Sequence, residues 1–262
     1  MTRPVFLAED LSCVPSSLAV GEHATLGGSE GRHAASVRRI GAGEWVDVAD
    51  GRGLRLTCEV VGADKSSLSL VVREVVQEES PRPEIILVQA LAKGGRDEAA
   101  VEICTEIGID RVIPWASQRA IVQWRGPKAE KGRAKWEGVA RAAAKQSRRA
   151  YVPVVEAVTD SRELSSWVRA LTDEAGAAFV CHEEATQSLG AALARVQGDA
   201  TDGSLPARVA LIVGPEGGIG PEETAQLVAA GARTVGLGAN VLRSSTAGAV
   251  ALTLIRAAAG AY

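Results

Sequence analysis

The C-terminal part of the chain has the clearest alternation of apolar and polar segments. An uninterrupted apolar run at 209–213 predicts a strand that is buried on both faces. The glycine-rich segment 214–218 ends that strand. Pro221 then suits the first turn of a helix and Gly231 suits its C-terminal end, so a helix is predicted between them.

A second strand is predicted at 234–237, opening into a glycine-containing loop at 236–243. Ser244 or Ser245 can cap a last helix, which is rich in Ala, Val and Leu. The two loops leave the C-terminal ends of buried strands, the edge at which open α/β sheets bind ligands. Taken singly, each loop is better interpreted as an ordinary tight turn, because short motifs are not specific.

Residues 1–76 are predicted to form a separate β-rich domain. The segments 44–48 and 55–60 alternate polar and apolar residues around the turn 50–53, which is typical of a hairpin. A further strand is predicted at 68–72. The pattern favours a small antiparallel barrel or sandwich.

The polar, proline-containing segment 77–83 is predicted to be a linker to a second domain at 84–262. From residue 84 the pattern alternates between strand and helix, which indicates an α/β fold with a mainly parallel sheet. The remaining predicted strands are at 85–91, 111–115, 154–158 and 177–181, and the remaining helices at 97–107 and 162–174, with a surface loop at 197–206.

The formal charge of the 262-residue chain is only -3, so overall charge neither favours nor excludes a nucleic-acid partner. Residues 119–149, however, carry ten basic residues and two glutamates, a net charge of +8. A charged helical face is usually just solvated, but this imbalance favours contact with a phosphate backbone. The basic residues are Arg119, Arg125, Lys128, Lys131, Arg133, Lys135, Arg141, Lys145, Arg148 and Arg149.

Several other classes of protein are disfavoured. The glycines at 93–96 lack the spacing of a loop that binds nucleotide triphosphates. His182-Glu183-Glu184 lacks the spacing of a helical zinc site, so no metal is predicted. There is no apolar run as long as a membrane span, and no N-terminal signal. A cytoplasmic protein with reduced thiols is the preferred interpretation of four scattered cysteines, Cys13, Cys58, Cys104 and Cys181.

The two C-terminal loops together resemble a known family. GPEGG at 214–218, followed by LGANVLRSSTA at 237–247, is similar to the RsmE family of SPOUT-class methyltransferases. Family-like segments also occur at 93–108, 117–119, 136–153 and 182–183. The resemblance implies a knotted α/β methyltransferase domain preceded by a PUA-like barrel, and a homodimer. It also implies methylation of uridine N3 in 16S ribosomal RNA of the small subunit, with S-adenosylmethionine as the cofactor.

The resemblance carries site residues over to this chain. Trp136 is interpreted as a packing residue, and Arg38 stands where the family usually has Leu. The implied RNA-binding residues are His33, Arg38, Arg39, Lys93, Arg96, Arg119, Gln146 and Arg149. The implied cofactor-binding residues are His182, Glu183, Val213, Gly214, Pro215, Glu216, Gly217, Gly218, Leu237, Gly238, Val241, Leu242 and Arg243.

Arg243 and Ser245 are the candidate catalytic residues. Uridine N3 is a poor nucleophile until its proton is lost, and a fixed guanidinium can stabilise the resulting anion on the uracil oxygens. The family's usual LRTETA is LRSSTA here, so Ser245 replaces a Glu and a scheme that needs that carboxylate as base is excluded. Two alternatives stay open: a non-catalytic ribosome assembly factor, and a SPOUT enzyme with another target, such as a ribose hydroxyl or transfer RNA.

Overall fold

The structure, a computed structural model, describes residues 3–261. The chain forms two compact units. One comprises the chain up to Ser80 together with Ala142–Val152, and the other comprises Pro81–Arg141 and the chain from Pro153 onward. The segment Ala142–Val152 therefore belongs to the first unit, although the sequence pattern left it in the second.

The first unit is a five-stranded sheet curled into a half-barrel. The strand order is β1-β3-β4-β5-β2, with β1 parallel to β3 and all other pairs antiparallel. A short helix α1 and one turn of π-helix follow β2. The elements are β1 (Val5–Leu7), β2 (His23–Leu26), α1 (Gly28–Arg32), the π-turn (His33–Val37), β3 (Trp45–Ala49), β4 (Leu54–Ala63) and β5 (Leu68–Gln77).

The predicted hairpin is confirmed in β3 and β4. The Asp50 carboxylate accepts hydrogen bonds from the backbone N–H groups of Arg52 (2.7 Å) and Leu54 (3.0 Å). Such a local side-chain bond stabilises a turn. Gly51 and Gly53 have φ angles of 77° and 105°, which glycine adopts without steric cost. The alternating side chains of the two strands then meet in one apolar core.

Hydrogen bonds hold the segment Ala142–Val152 in the first unit. The Tyr151 hydroxyl donates to the Glu78 carbonyl (2.9 Å), and the Val152 N–H donates to the Gly51 carbonyl (2.9 Å). The Lys145 ammonium group lies 2.5 Å from the Glu30 carboxylate. These pairs are far apart in sequence, so no local pattern predicts them.

The second unit contains a parallel seven-stranded sheet with the order β12-β10-β11-β6-β7-β8, and β9 also pairs with β7. Its strands are β6 (Glu84–Ala90), β7 (Arg111–Ala116), β8 (Val154–Val155), β9 (Thr159–Asp160), β10 (Ala177–Cys181), β11 (Arg208–Val213) and β12 (Arg233–Val235). Its helices are α2 (Arg96–Ile107), α3 (Pro127–Gln146, whose last turn lies in the first unit), α4 (Ser161–Asp173), α5 (Leu189–Asp199), α6 (Pro221–Ala229) and α7 (Ser244–Ala258).

Helices cover both faces of this sheet. Odd-numbered residues of β6, such as Leu87, pack with α2, α3, α5 and α7, whereas even-numbered ones, such as Val88, pack with α4 and α6. Burial on both faces explains why β6, β10 and β11 are almost continuously apolar. Within residues 3–261, no helix has the length and apolarity that crossing a membrane requires.

Several predicted elements differ from the structure, among them the strand predicted at 68–72, which extends to Gln77 as β5. The strand predicted at 154–158 is two short strands, β8 and β9, and the loop predicted at 197–206 begins only after α5 ends at Asp199. The strand predicted at 234–237 ends at Val235. The prediction that Ser244 or Ser245 caps the last helix is wrong: Arg243 is the N-cap residue, and no side chain of the described residues caps α7.

Candidate functional site

Three neighbouring strands of the second unit end at the same level. Cys181, the last residue of β10, is paired with Val213 at the end of β11 and with Val235 at the end of β12. On its other side, Val213 is paired with Gln89 of β6. Because the strands are parallel, the loops that follow β10, β11 and β12 leave one edge of the sheet side by side.

The loop after β10 is joined to the loop after β12 by backbone hydrogen bonds. The His182 N–H donates to the Val235 carbonyl (3.0 Å), and the Gly236 N–H donates to the Gln187 carbonyl (2.8 Å). The Glu184 N–H donates to Nδ1 of His182 (3.2 Å), which fixes the imidazole ring. His182 is half-buried, whereas Glu183 is exposed.

The loop after β11 is a tight turn. The Gly218 N–H donates to the Pro215 carbonyl (2.9 Å), and Gly218 has a φ of 71°. A Cβ at Gly214 would lie 2.6 Å from Cγ1 of Ile219, so a side chain has no room there. Ile219 packs into the core beneath α4 and α6, on the opposite face of the sheet from Val213.

Glu216 links this turn to the loop after β6. Its Oε1 atom accepts hydrogen bonds from the Lys93 backbone N–H (3.1 Å) and from Nη1 of Arg96 (3.0 Å). Burial raises the pKa of Glu216, but these bonds and one from its own backbone N–H outweigh burial and lower the pKa. Glu216 is therefore held as a carboxylate.

The segment after β7 supports the same turn from another side. Nη1 of Arg119 donates to the Gly217 carbonyl (3.2 Å). The neighbouring Gln118 N–H donates to the fully buried carboxylate of Glu223 (2.8 Å). That carboxylate also accepts from the Gly220 N–H (3.3 Å) and from the Ser161 hydroxyl.

Glu223, Gln118 and Ser161 are absent from the site predicted from sequence. Glu223 had a local signal, since it is the third residue of a helix that begins with Pro221. The backbone role of Gln118 and the hydroxyl of Ser161 had none, because both depend on contacts between distant parts of the chain.

The loop after β12 combines apolar and basic side chains. Leu237 and Leu242 pack partly against the core beneath α7, whereas Val241 is 75% exposed. Gly238 has a φ of 139° and open space on its Cβ side. Arg243 is exposed, and its guanidinium has no carboxylate partner among the described residues. Ser245 is half-buried in the first turn of α7.

The predicted RNA-binding residues are divided between the units. Lys93, Arg96 and Arg119 lie in the second unit, beside the turn after β11. The other five lie in the first unit: His33, Arg38, Arg39, Gln146 and Arg149.

His33, Arg38 and Arg39 lie in or just after the π-turn of the first unit, and all three are exposed. The His33 ring packs edge-on against Phe6, with 6.1 Å between ring centroids, so this histidine has a structural contact as well as an exposed surface. In the second unit, Trp136 is fully buried and packs at 5.1 Å against Trp124. The prediction that Trp136 is a packing residue is confirmed.

Comparison with known proteins agrees with this architecture. A family model described as "RNA methyltransferase domain" matches residues 78–256, and one described as "RNA methyltransferase PUA domain" matches residues 26–73. A Mycobacterium bovis protein named "Ribosomal RNA small subunit methyltransferase E" is 43% identical over 88% of this chain and 85% of its own length. The chain belongs to the RsmE family.

Two further relatives match most or nearly all of this chain. A Bacillus subtilis protein of the same name is 29% identical over 87% of each sequence. The crystal structure of a ribosomal RNA small subunit methyltransferase E from Neisseria gonorrhoeae, bound to S-adenosyl methionine, is 26% identical. It superposes with a TM-score of 0.80 over 98% of both chains. The fold is therefore a SPOUT-type α/β domain with a PUA domain.

Proposed function

We propose that this protein uses S-adenosylmethionine to methylate N3 of a uridine in the 16S ribosomal RNA of the small subunit. The observation that carries the proposal is the side-by-side arrangement of the loops after β10, β11 and β12 in a chain of the RsmE family. The Neisseria gonorrhoeae relative, which binds S-adenosyl methionine, supports the choice of cofactor.

The three loops suit a cofactor with a polar heterocycle and an apolar body. Their glycines let backbone N–H and C=O groups approach a ligand closely, and Gly238 faces open space. Leu237 and Leu242 supply apolar contact beside them. The proposed binding residues are His182, Glu183, Val213, Gly214, Pro215, Glu216, Gly217, Gly218, Leu237, Gly238, Val241, Leu242 and the backbone of Arg243. The bound cofactor supplies an activated methyl group.

The chain's own contribution to the chemistry is orientation and charge. The Arg243 guanidinium is exposed and has no carboxylate partner within residues 3–261, so it is free to meet the uracil oxygens. It stabilises the negative charge that develops when the N3 proton is lost. The Ser245 hydroxyl, in the first turn of α7, donates a hydrogen bond to the same base. Solvent takes up the proton, since Ser245 replaces the family's carboxylate.

The knot and the homodimer implied by family resemblance are also part of the proposal. Helices α2 and α7 pack together, and each exposes an apolar side chain, Ile103 at 39% and Leu254 at 38%. A second copy would cover them. Light scattering during gel filtration tests the dimer: a mass near twice 27.2 kDa is expected, and a monomer at micromolar concentration would contradict it.

The decisive experiment supplies methyl-labelled S-adenosylmethionine and unmodified small subunits to the purified protein. Incorporation of label into the ribosomal RNA is expected. Binding of cofactor and RNA without incorporation would favour the assembly factor, for which the missing carboxylate at Ser245 is the supporting observation. Absence of cofactor binding would contradict the role of the three loops.

A further inference from the structure

Two groups of basic residues in and just before α3 differ in whether a carboxylate already neutralises them. Arg133 and Lys135 already have carboxylate partners in the protein: Nε of Arg133 lies 2.9 Å from Glu137, and Nζ of Lys135 lies 2.5 Å from Glu98. The hydrogen bond to Glu98 raises the pKa of Lys135, as expected for an ammonium group in an ion pair. These two charges are locally neutralised.

The second group lies at the start of the helix and is not neutralised. Arg125, Lys128 and Lys131 are exposed, and none has a carboxylate partner in the described chain. The Lys128 N–H donates to the Arg125 carbonyl (3.2 Å), which holds Arg125 against the first turn. Lys128 and Lys131 are three residues apart, about 4.5 Å along the helix axis, so both ammonium groups project from the same face of α3.

This group follows directly from a segment that touches the candidate cofactor loop. Arg119 donates to the Gly217 carbonyl, and Arg125 lies only six positions further along the chain. Six residues span at most about 20 Å. Bound phosphates at Arg125 would therefore lie within a few nucleotides of the reacting base.

We propose that Arg125, Lys128 and Lys131 bind the phosphate backbone of the RNA strand that carries the target uridine. This inference rests on the proposed function and selects, among the ten basic residues at 119–149, the three that hold the RNA strand. Lysine and arginine without protein partners gain from displacing counterions at phosphates, whereas the paired Arg133 and Lys135 must first give up a carboxylate. Phosphate contacts position the strand without reading its sequence.

Two double variants with equal charge change test the proposal. Lys128→Gln/Lys131→Gln removes two unpaired charges from α3, and the matched control, Arg133→Gln/Lys135→Gln, removes two paired ones. The dissociation constant for small-subunit ribosomal RNA, transcribed in vitro, is measured from 50 to 300 mM KCl. Steady-state kinetics with assembled small subunits then give kcat and KM for each variant.

The first variant is expected to bind RNA on the order of 30-fold more weakly at 0.1 M salt, with the slope of log K against log salt reduced by about 1.4–1.8. Its KM for subunits rises while kcat at saturation stays unchanged. The control stays within about threefold of wild type. An equal loss of RNA affinity in both double variants would show that only net charge matters. Unchanged RNA affinity in Lys128→Gln/Lys131→Gln would place the RNA elsewhere. Either result overturns the proposal.

The binding measurement separates this inference from the proposed function. If the wild-type protein transfers no methyl group yet the two variants differ in salt slope, the methyltransferase assignment fails and the RNA-binding surface stands. If methyl transfer occurs and the variants do not differ in salt slope, the methyltransferase assignment stands and the proposed RNA-binding surface fails. Binding of an acidic protein such as albumin serves as a further comparison. If Lys128→Gln/Lys131→Gln weakened albumin binding as much as RNA binding, the assignment of this surface to RNA would also be overturned.

Discussion

The Glu216 carboxylate accepts a hydrogen bond from the Arg96 guanidinium, with 3.0 Å between Oε1 and Nη1, although the two residues are 120 positions apart in the sequence. The bond joins the loop after β11 to the loop after β6, its neighbour in the sheet. It holds the turn at 214–218 on one side, while Arg119 donates to the Gly217 carbonyl and Glu223 accepts from the Gly220 N–H just after the turn. The turn is therefore fixed before a ligand binds.

Replacing Glu216 by Gln should weaken this link. We expect affinity for S-adenosylhomocysteine to fall several-fold and the free energy of unfolding to fall by no more than about 1 kcal/mol, because the carboxylate is partly exposed. Since the fold lowers the pKa of Glu216, its stabilisation is complete above the ordinary value of 4.5 and is lost as pH falls through the lower folded pKa.

Urea unfolding from pH 3 to pH 8 measures this effect. The variant and wild type should differ near neutral pH and converge below pH 4.5. Glu102→Gln, an exposed change on α2, is the control and should leave the stability near neutral pH close to that of wild type. A difference that grows in acid would contradict the hydrogen-bond pattern at Glu216.

Arg243→Ala should abolish methyl transfer while leaving the cofactor bound. A guanidinium that stabilises developing charge contributes about 10²–10³ in kcat, whereas its removal from an exposed position leaves the loop backbone in place. Single-turnover transfer and calorimetric binding of S-adenosylhomocysteine measure the two quantities separately. The control, Arg195→Ala on the exposed face of α5, should match wild type. Retained transfer in Arg243→Ala would remove this residue from the mechanism.

Glu223→Ala should be strongly destabilising. The carboxylate is fully buried and accepts from the Gln118 and Gly220 N–H groups and from the Ser161 hydroxyl. Its loss leaves those donors unsatisfied, at a cost on the order of 3 kcal/mol. Denaturant unfolding measures the change, and Glu222→Ala at the exposed neighbouring position should cost less than about 0.5 kcal/mol. Equal effects at both positions would contradict the buried network.

Replacing two glycines of α3 by alanine should have opposite effects on the free energy of unfolding. A Cβ at Gly132 would lie 2.4 Å from Cε2 of Trp124 and displace that ring from Trp136, whereas a Cβ at Gly138 meets nothing within 4 Å. Gly132→Ala should destabilise by about 1–3 kcal/mol through overpacking. Gly138→Ala should stabilise by about 0.5–1 kcal/mol through helix propensity. Urea unfolding followed by tryptophan fluorescence compares them, and a stabilised Gly132→Ala would contradict the packing.

Local pattern predicted the parts of this fold that local energetics determine. Strand β10 has the predicted bounds because it is a continuous apolar run, and α2 ends at Ile107 as predicted, with Gly108 as its C-cap. The alignment of Cys181 with Val213 and Val235 follows from the parallel sheet, so the neighbouring loops were foreseeable.

Contacts between distant residues were not foreseeable. Nothing near Tyr151 indicates that its hydroxyl bonds to Glu78, so the return of Ala142–Val152 to the first unit could not be predicted. The same holds for the bond between Ser161 and Glu223. Which α3 charges are neutralised depends on Glu98 of another helix. The sequence shows how many charges there are, and the structure shows which are free.

The identity of the methylated nucleoside tests the central claim most directly. Small subunits labelled by the purified protein would be digested to nucleosides, and the label identified by mass spectrometry, with Arg243→Ala as the inactive control. Label in 3-methyluridine at one site, absent from the control, is the expected result. Label on a ribose 2′-oxygen or in transfer RNA, or none despite bound cofactor, would contradict the account.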